Sequence, residues 1–296
     1  MGGKEMKRLL TSTCTADHFL GYIPLYVYSS LIVWPGIDIK IRVLGDMSRK
    51  DILIIRKAME CAGRDNDDRW EINFINPPLK CKRETGVNCL RFASIPEEWV
   101  EYDYVMITDI DLFFFQTPTD LWAWSIHNMD SMGACYSAHH GPYKKPHRPE
   151  IAPRWTGEWQ RLAGGFVMIT PEWIKRTSDI RGSWMKRLED GSWGHFRESD
   201  EVMLYRICAT AGMPIPTSKY MPPECRGLHF GDFKPEMRHR WTDHRKMLTR
   251  LTERNCRNWK AAEAWMKANG MIETLSEIPH MAEIFKNVHE HTQGRS

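Results

Sequence analysis

Apolar and polar residues follow strand-like and helix-like periods through the first half of the chain. Short apolar or strictly alternating runs predict strands at 7–13, 37–44, 70–75 and 104–108. Apolar residues at helical spacing predict helices at 17–34, with an irregular start, at 48–61 and near 88–99. Ser48 is placed to cap the second of these helices. Strand–helix alternation of this kind predicts an α/β fold, in which a mostly parallel central sheet is covered by helices on both faces.

The second half of the chain is less regular. Residues 141–154 are rich in proline and basic residues and have no period, which indicates a long loop of a kind that often binds ligands. The later segments are expected to be a strand at 161–170, a helix at 198–212, a loop at 227–235 and helices from 238 to about 287. We therefore expect two parts, an α/β domain at 1–237 and a helical C-terminal extension at 238–296 that packs on it.

The composition is that of a globular protein. Hydrophobic residues make up 42% of the 296 residues, and 41 Lys and Arg against 38 Asp and Glu leave a net charge of +3. That bulk charge gives no reason to expect a nucleic-acid partner. The eight cysteines form no CxxC pair, so we expect reduced thiols rather than a zinc ribbon or a disulfide framework. We also expect no signal peptide, a buried helix rather than a membrane span at 19–37, and a cytoplasmic protein.

The strongest local signal is YDYVMITDIDLFFF at 102–115. An apolar strand leads directly into Asp109 and Asp111, and carboxylates two residues apart on an extended chain point the same way. At the carboxyl end of a strand, where α/β sheets bind ligands, such a pair can hold one divalent cation through oxygen. The alternative is two acids that cap the strand in a solvated turn. The apolar neighbours make the carboxylates costly unless a cation or hydrogen bonds compensate them.

Four segments resemble motifs of glycosyltransferase family 8 and its relatives, which include glycogenin, galactinol synthase and bacterial galactosyltransferases. Residues 88–122 resemble the family's arginine-bearing helix, strand, acid-x-acid pair and "dLW" turn. Downstream, RLAGGFVMIT resembles the "fNaGvmli" strand, ESDEVMLYRI the "DQdllN" helix and HFGDFKP the "HfxGxxKPW" segment. The motifs stand in the family's order and cover residues 88–235.

The resemblance implies a GT-A (Rossmann-like) fold that uses Mn²⁺ or Mg²⁺ and a nucleotide-diphosphate sugar, a UDP-sugar in particular. It implies that Asp109, Asp111 and His229 bind the metal, and that Asp109 also touches the ribose. Gly231 would allow close approach of the backbone, and Lys234 would place its ammonium on the diphosphate. The alternative for His229, if Gly231 and Lys234 did not follow it, is an ordinary loop histidine. The alternative for Lys234 outside this motif is a solvated lysine.

Further donor contacts are implied for Arg91, Thr13, Thr15, Phe19, Gly164 and Gly165. Arg91 would reach the donor phosphates or sugar, with a surface salt bridge as the alternative. Phe19 would stack on the nucleoside ring, and its alternative is a place in the core. The two glycines would let a substrate approach the backbone, although Ala163 stands where relatives often have asparagine, which leaves the donor sugar open.

Asp200 and Glu201 stand where the family has Asp-Gln. Asp200 would position the donor or acceptor hydroxyls. Glu201 departs from the family, and a carboxylate there makes a nucleophile or an oxocarbenium-stabilising group chemically possible. The alternative is a pair of acids at a helix N-terminus behind Ser199, favoured by the helix dipole.

The sequence thus predicts a metal-dependent, retaining glycosyltransferase with a glycan or other hydroxyl acceptor. The basic segment 234–260 is either a solvated helix face or a patch for an anionic surface such as lipid headgroups, and only this segment points to nucleic acid. A sugar nucleotidyltransferase would need a basic, glycine-rich loop after the first strand, where this chain has TSTCTADHF. A non-catalytic glycan- or nucleotide-binding module would not need Asp109, Asp111, His229 and Lys234 together.

Overall fold

The computed structural model describes residues 6–17, 19–80, 88–138, 162, 165–193, 199–215, 221–234 and 252–293. Its strands are β1 (Arg8–Thr15), β2 (Asp38–Leu44), β3 (Trp70–Ile75), β4 (Tyr104–Thr108), β5 (Leu112–Phe113), β6 (Tyr136–Ala138), β7 (Phe166–Ile169) and β8 (Leu228–His229). Its α-helices are α1 (Tyr22–Val33), α2 (Arg49–Cys61), α3 (Leu90–Ala93), α4 (Leu121–Met132), α5 (Pro171–Asp190), α6 (Asp200–Thr210), α7 (Glu253–Ala268), α8 (Met271–Leu275) and α9 (Pro279–Gln293).

Six strands form the main sheet, in the order β3-β2-β1-β4-β7-β6. β1 and β4 are parallel, with Arg8 opposite Tyr104 and Thr11 opposite Ile107. β7 is antiparallel to both β4 and β6, so β1, β4 and β6 share one direction and β7 opposes them. α4 packs on β6 and α5 packs on β7. The predicted α/β class, with a mostly parallel sheet flanked by helices, is confirmed.

The chain forms two compact units. Unit 1 comprises Met1–Thr13, Ile75–Asp109 and Leu121–Met221, and unit 2 comprises Cys14–Phe74, Ile110–Asp120 and Pro222–Ser296. The core of unit 1 is built on fully buried residues such as Leu9, Val105, Val167 and Trp173. In unit 2, fully buried aromatic residues contribute to the core, among them Tyr22, Tyr26, Phe230 and Trp259. The predicted boundary at residue 237 stays a prediction.

Several elements follow from local sequence. Ser48 caps α2 as predicted, because its hydroxyl accepts from Asp51 N while the Asp51 carboxylate accepts from Ser48 N. All residues of α1 from Tyr22 to Leu31 are buried, which makes it the expected buried helix. No helix within the described ranges has both the length and the apolar character needed to cross a membrane.

Two expected elements differ in the structure. The helix expected near 88–99 contains only α3 and the start of a 3₁₀ turn at Glu97–Glu101. Pro96 precedes that turn, and proline disfavours helical geometry in the residue before it, which explains the break. The loop expected at 227–235 contains β8 and a 3₁₀ turn at Phe230–Phe233. The predicted loop at 141–154 lies outside the described residues.

Candidate active site

The buried carboxylate of Asp111 is the centre of an ionic group in unit 2. Its Oδ1 lies 3.0 Å from Nε2 of His229, and Nδ1 of His229 lies 3.4 Å from Asp232 Oδ2. The backbone fixes this pair as well, because Phe230 N donates to Asp111 O at 2.8 Å. The imidazole is therefore held between two carboxylates.

The small sheet formed by β5 and β8 brings His229 to Asp111, although the two residues are 118 positions apart in sequence. In its antiparallel register Leu112 pairs with His229 and Phe113 with Leu228. Gly227, just before β8, has a φ of +66°, and a Cβ there would overlap Phe113 O. Gly231 has no room for a side chain either, since a Cβ would overlap the Asp111 carboxylate. Both glycines allow the loop to pass this close to β5 and Asp111.

The charges of the group support one another. Burial alone would raise the pKa of Asp111, but His229 and, more weakly, Lys234 hold that pKa below its ordinary value. Burial alone would lower the pKa of His229, but Asp111 and then Asp232 raise it well above its ordinary value. Both shifts favour the charged forms, an ionised Asp111 beside a protonated His229.

Asp109 directly follows β4 and stands two residues before Asp111. One carboxylate oxygen from each aspartate and a ring nitrogen of His229 all lie within 4.8 Å of one another. Two carboxylates and one imidazole are a donor set that Mn²⁺ and related divalent cations accept. The residues therefore fit the metal that the sequence implies, once the imidazole has lost its proton.

In unit 1, Arg91 bridges two carboxylates. Its Nη1 donates to Asp109 Oδ1 and its Nη2 donates to Asp200 Oδ2. Burial would lower the pKa of Arg91, but Asp200 and Asp109 raise it above its ordinary value, so the guanidinium keeps its charge. Arg91 thus lies on α3 as predicted, and the structure brings it to two other predicted site residues.

Asp200 begins α6. Ser199 caps this helix, because its hydroxyl accepts from Val202 N. Asp200 is buried and Glu201 is half-buried, and both lie in the first turn, where the helix dipole favours acids. The backbone carbonyl of Glu201 accepts from Leu162 N at 3.1 Å. Capping and the dipole account for the position of these acids, and their catalytic roles stay predictions.

The other predicted donor residues lie as follows. Thr13 and Thr15 are half-buried near the end of β1, and the Thr15 hydroxyl donates to Asp17. Phe19 is half-buried, with the Lys234 ammonium 4.8 Å from its ring centroid. Gly165 directly precedes β7. Gly164 lies outside the described residues, as do residues 235–251 of the basic segment, and the roles of all these residues stay predictions.

The sequence analysis did not single out Asp232, nor Asn255 and Asn287, whose side-chain amides donate to Gly227 O and Phe233 O on either side of His229. Asp232 lies within the HFGDFKP segment, three positions after His229. An acid this close in sequence to a histidine could have been predicted to contact it. Asn255 and Asn287 had no such signal, because each is a single amide within a helix whose backbone partners lie far away in sequence.

No protein-family model and no curated protein matches the sequence. Among solved structures, the chain is similar to the galactosyltransferase LgtC in complex with donor and acceptor sugar analogues, with 15% identity, 67% of this chain and 69% of that chain covered, and a TM-score of 0.38. It is similar to core-mannan synthase A from Aspergillus fumigatus in its Mn/GDP form, with 10% identity, coverages of 69% and 70%, and a TM-score of 0.43. It is also similar to the glycosyltransferase GlyE from Streptococcus pneumoniae, with 12% identity, coverages of 92% and 63%, and a TM-score of 0.47. At these identities and TM-scores the likenesses carry no argument about this chain, whose α/β class rests on its own strands and helices.

Proposed function

We propose that this protein is a metal-dependent glycosyltransferase with a GT-A fold. It transfers a sugar from a nucleoside-diphosphate sugar, a UDP-sugar by the family resemblance, to a hydroxyl of a glycan or other acceptor. The observation that carries the proposal is the cluster of Asp109 and Asp111, which follow β4, with His229 of β8. Its donor set suits a divalent cation, and the resemblance to the family implies the same three residues as metal ligands.

The residues around the Asp111 carboxylate suit a nucleoside-diphosphate sugar. Lys234 lies close enough to lower the pKa of Asp111, and an ammonium there offers charge to a diphosphate. A Cβ at Gly231 would overlap the Asp111 carboxylate, so glycine lets the backbone pass directly beside that carboxylate. A bound divalent cation would neutralise the charge that develops on the departing diphosphate.

The reaction breaks the bond between the anomeric carbon and the diphosphate oxygen, which leaves with the electron pair. A bond from the acceptor oxygen to the anomeric carbon forms, and the proton of the acceptor hydroxyl passes to the departing diphosphate oxygen. In this proposal Asp200, held by Arg91, orients sugar or acceptor hydroxyls. The new bond keeps the anomeric configuration of the donor.

A donor screen tests the proposal. The protein is incubated with a set of nucleoside-diphosphate sugars and Mn²⁺, and proton NMR identifies the products. We expect one donor to yield the nucleoside diphosphate and a sugar that first appears with the donor's anomeric configuration. Release of sugar 1-phosphate would indicate a nucleotidyltransferase, binding without cleavage of any donor would indicate a binding module, and an inverted anomer would exclude retention.

A further inference from the structure

Two buried asparagine side chains hold the loop that carries His229, Gly231 and Lys234, one at each end. Asn255 Nδ2 donates to Gly227 O at 3.0 Å, and Asn287 Nδ2 donates to Phe233 O at 2.9 Å. The two residues are 0% and 4% exposed. They come from α7 and α9, so two separate helices of the C-terminal region reach the same loop.

The two acceptors bracket the functional residues closely. Gly227 O lies two residues before His229, and Phe233 O belongs to the residue directly before Lys234. Between them, pairing with β5 and the bond from Phe230 N to Asp111 O fix the chain. The path of the loop is therefore set from three sides, by β5, α7 and α9.

Apolar packing alone would not fix the loop in this way. Phe230 packs edge-on against Trp259 of α7 and Phe285 of α9, with ring centroids 5.4 Å and 6.4 Å apart. Such contacts tolerate sliding, whereas an amide hydrogen bond to one carbonyl fixes a distance and a direction. A buried amide is also costly to leave unpaired, so each asparagine favours a single position of its carbonyl partner.

We propose that Asn255 and Asn287 are positioning residues of the active site. Asn255 sets the backbone before His229 and thereby the imidazole that binds the cation. Asn287 sets the backbone before Lys234 and thereby the ammonium that would contact the diphosphate. The inference rests on the proposed function, and it makes α7 and α9 part of the active site.

The two ends of the loop should show different defects. For Asn255→Ser we expect Mn²⁺ affinity, measured without nucleotide from the EPR signal of free Mn²⁺, to fall about 10-fold, as is typical when a group that orients a metal ligand is lost. For Asn287→Ser we expect Mn²⁺ affinity within about twofold of wild type and UDP affinity at saturating Mn²⁺ to fall about 10-fold, a magnitude taken from the same class of effect. Asn128→Ser is the matched control, because Asn128 is also buried, at 3% exposure, and its Nδ2 donates to Ser137 Oγ in unit 1.

Hydrogen exchange of the loop amides provides a second readout if a variant is unstable. Both variants should speed exchange at 228–233 relative to the rest of unit 2, and the control should not. Equal losses of Mn²⁺ affinity in all three variants, or unchanged loop exchange in both asparagine variants, would overturn the positioning roles. Absence of Mn²⁺ binding by the wild-type protein would overturn the metal site itself, and the inference with it.

Discussion

At the residue scale, Arg91 is held by two carboxylates from distant parts of the sequence, Asp109 and Asp200. Replacing it with methionine keeps most of the side-chain volume but leaves the buried Asp200 without its guanidinium. Removing one partner of a buried ion pair costs about 3 kcal/mol, so Arg91→Met should lower the free energy of unfolding in urea by about that amount.

The control for Arg91 is Arg176→Met. Arg176 is an exposed residue of α5 that pairs with Glu172 four positions away and donates to Ala211 O. An exposed pair of this kind contributes about 0.5 kcal/mol or less. Similar losses in the two variants would contradict the role of Arg91 as a bridge between two carboxylates.

The raised pKa of His229 predicts a pH dependence of cation binding. Because this pKa lies well above the ordinary value of 6.5, the imidazole carries a proton at pH 7 and must release it to bind Mn²⁺. Asp111, with a lowered pKa, is already ionised and releases none. Mn²⁺ affinity should therefore rise with pH from 6.5 towards the raised pKa of His229, by up to about tenfold per unit.

Calorimetry in buffers of different ionisation enthalpy measures that proton directly. About one proton should leave per Mn²⁺ bound at pH 7, and His229→Gln should abolish the release. The same raised pKa affects stability. Protonated His229 stabilises the fold at a pH below the pKa that histidine has in the unfolded chain, and this stabilisation is lost as the pH rises through the pKa of His229 in the folded protein. Binding without proton release would exclude His229 as a ligand.

At the element scale, the strands before the site are set by local sequence. The alternating and apolar runs at 37–44, 70–75 and 104–108 became β2, β3 and β4 within one residue at each end, because a period of two residues needs no long-range information. The pairing of β5 with β8 could not be predicted. Each strand has two residues, too few for a period, and they meet only through a contact across more than 100 positions.

The site shows the same limit. The cluster of Asp109, Asp111 and His229 could be predicted from motifs and their order. The bridge from Arg91 to Asp200 and the contacts of Asn255 and Asn287 could not, because an isolated arginine or amide in a helix looks the same whether it faces water or a distant partner.

Ser48 provides an element-scale prediction. Ser48→Ala removes the hydroxyl that accepts from Asp51 N at the start of α2, so it should destabilise the protein by about 1 kcal/mol and lower the Tm by a few degrees. Ser183→Ala is the control, since Ser183 is exposed inside α5, where alanine is the better helix former by about 0.5 kcal/mol. A Tm for Ser48→Ala at or above that of Ser183→Ala would contradict the capping role in thermal unfolding.

At the scale of the whole molecule, the described cysteines are all free thiols and most of them are buried. Burial raises the pKa of Cys14 and of Cys208 to about 12 and that of Cys225 to about 11. Because the thiolate is the nucleophile, these three should react with iodoacetamide at pH 8 at least about 100-fold more slowly in the folded protein than in urea. Half-buried Cys61 of α2 should be modified before these three cysteines. Mass spectrometry of the labelled peptides measures the order, and modification of Cys14 or Cys208 before Cys61 would contradict the prediction.

The central claim is that Asp111 holds a cation on which sugar transfer depends. The most direct test is the rate of nucleoside diphosphate release from the accepted donor, titrated with Mn²⁺, for wild type, Asp111→Asn and Asp130→Asn. Asp130→Asn, an exposed change in α4, should match wild type, whereas Asp111→Asn should lose at least about 100-fold in rate, the magnitude expected when electrostatic stabilisation of a leaving group is removed. Full turnover in excess EDTA, or an Asp111→Asn variant as active as Asp130→Asn, would contradict the account.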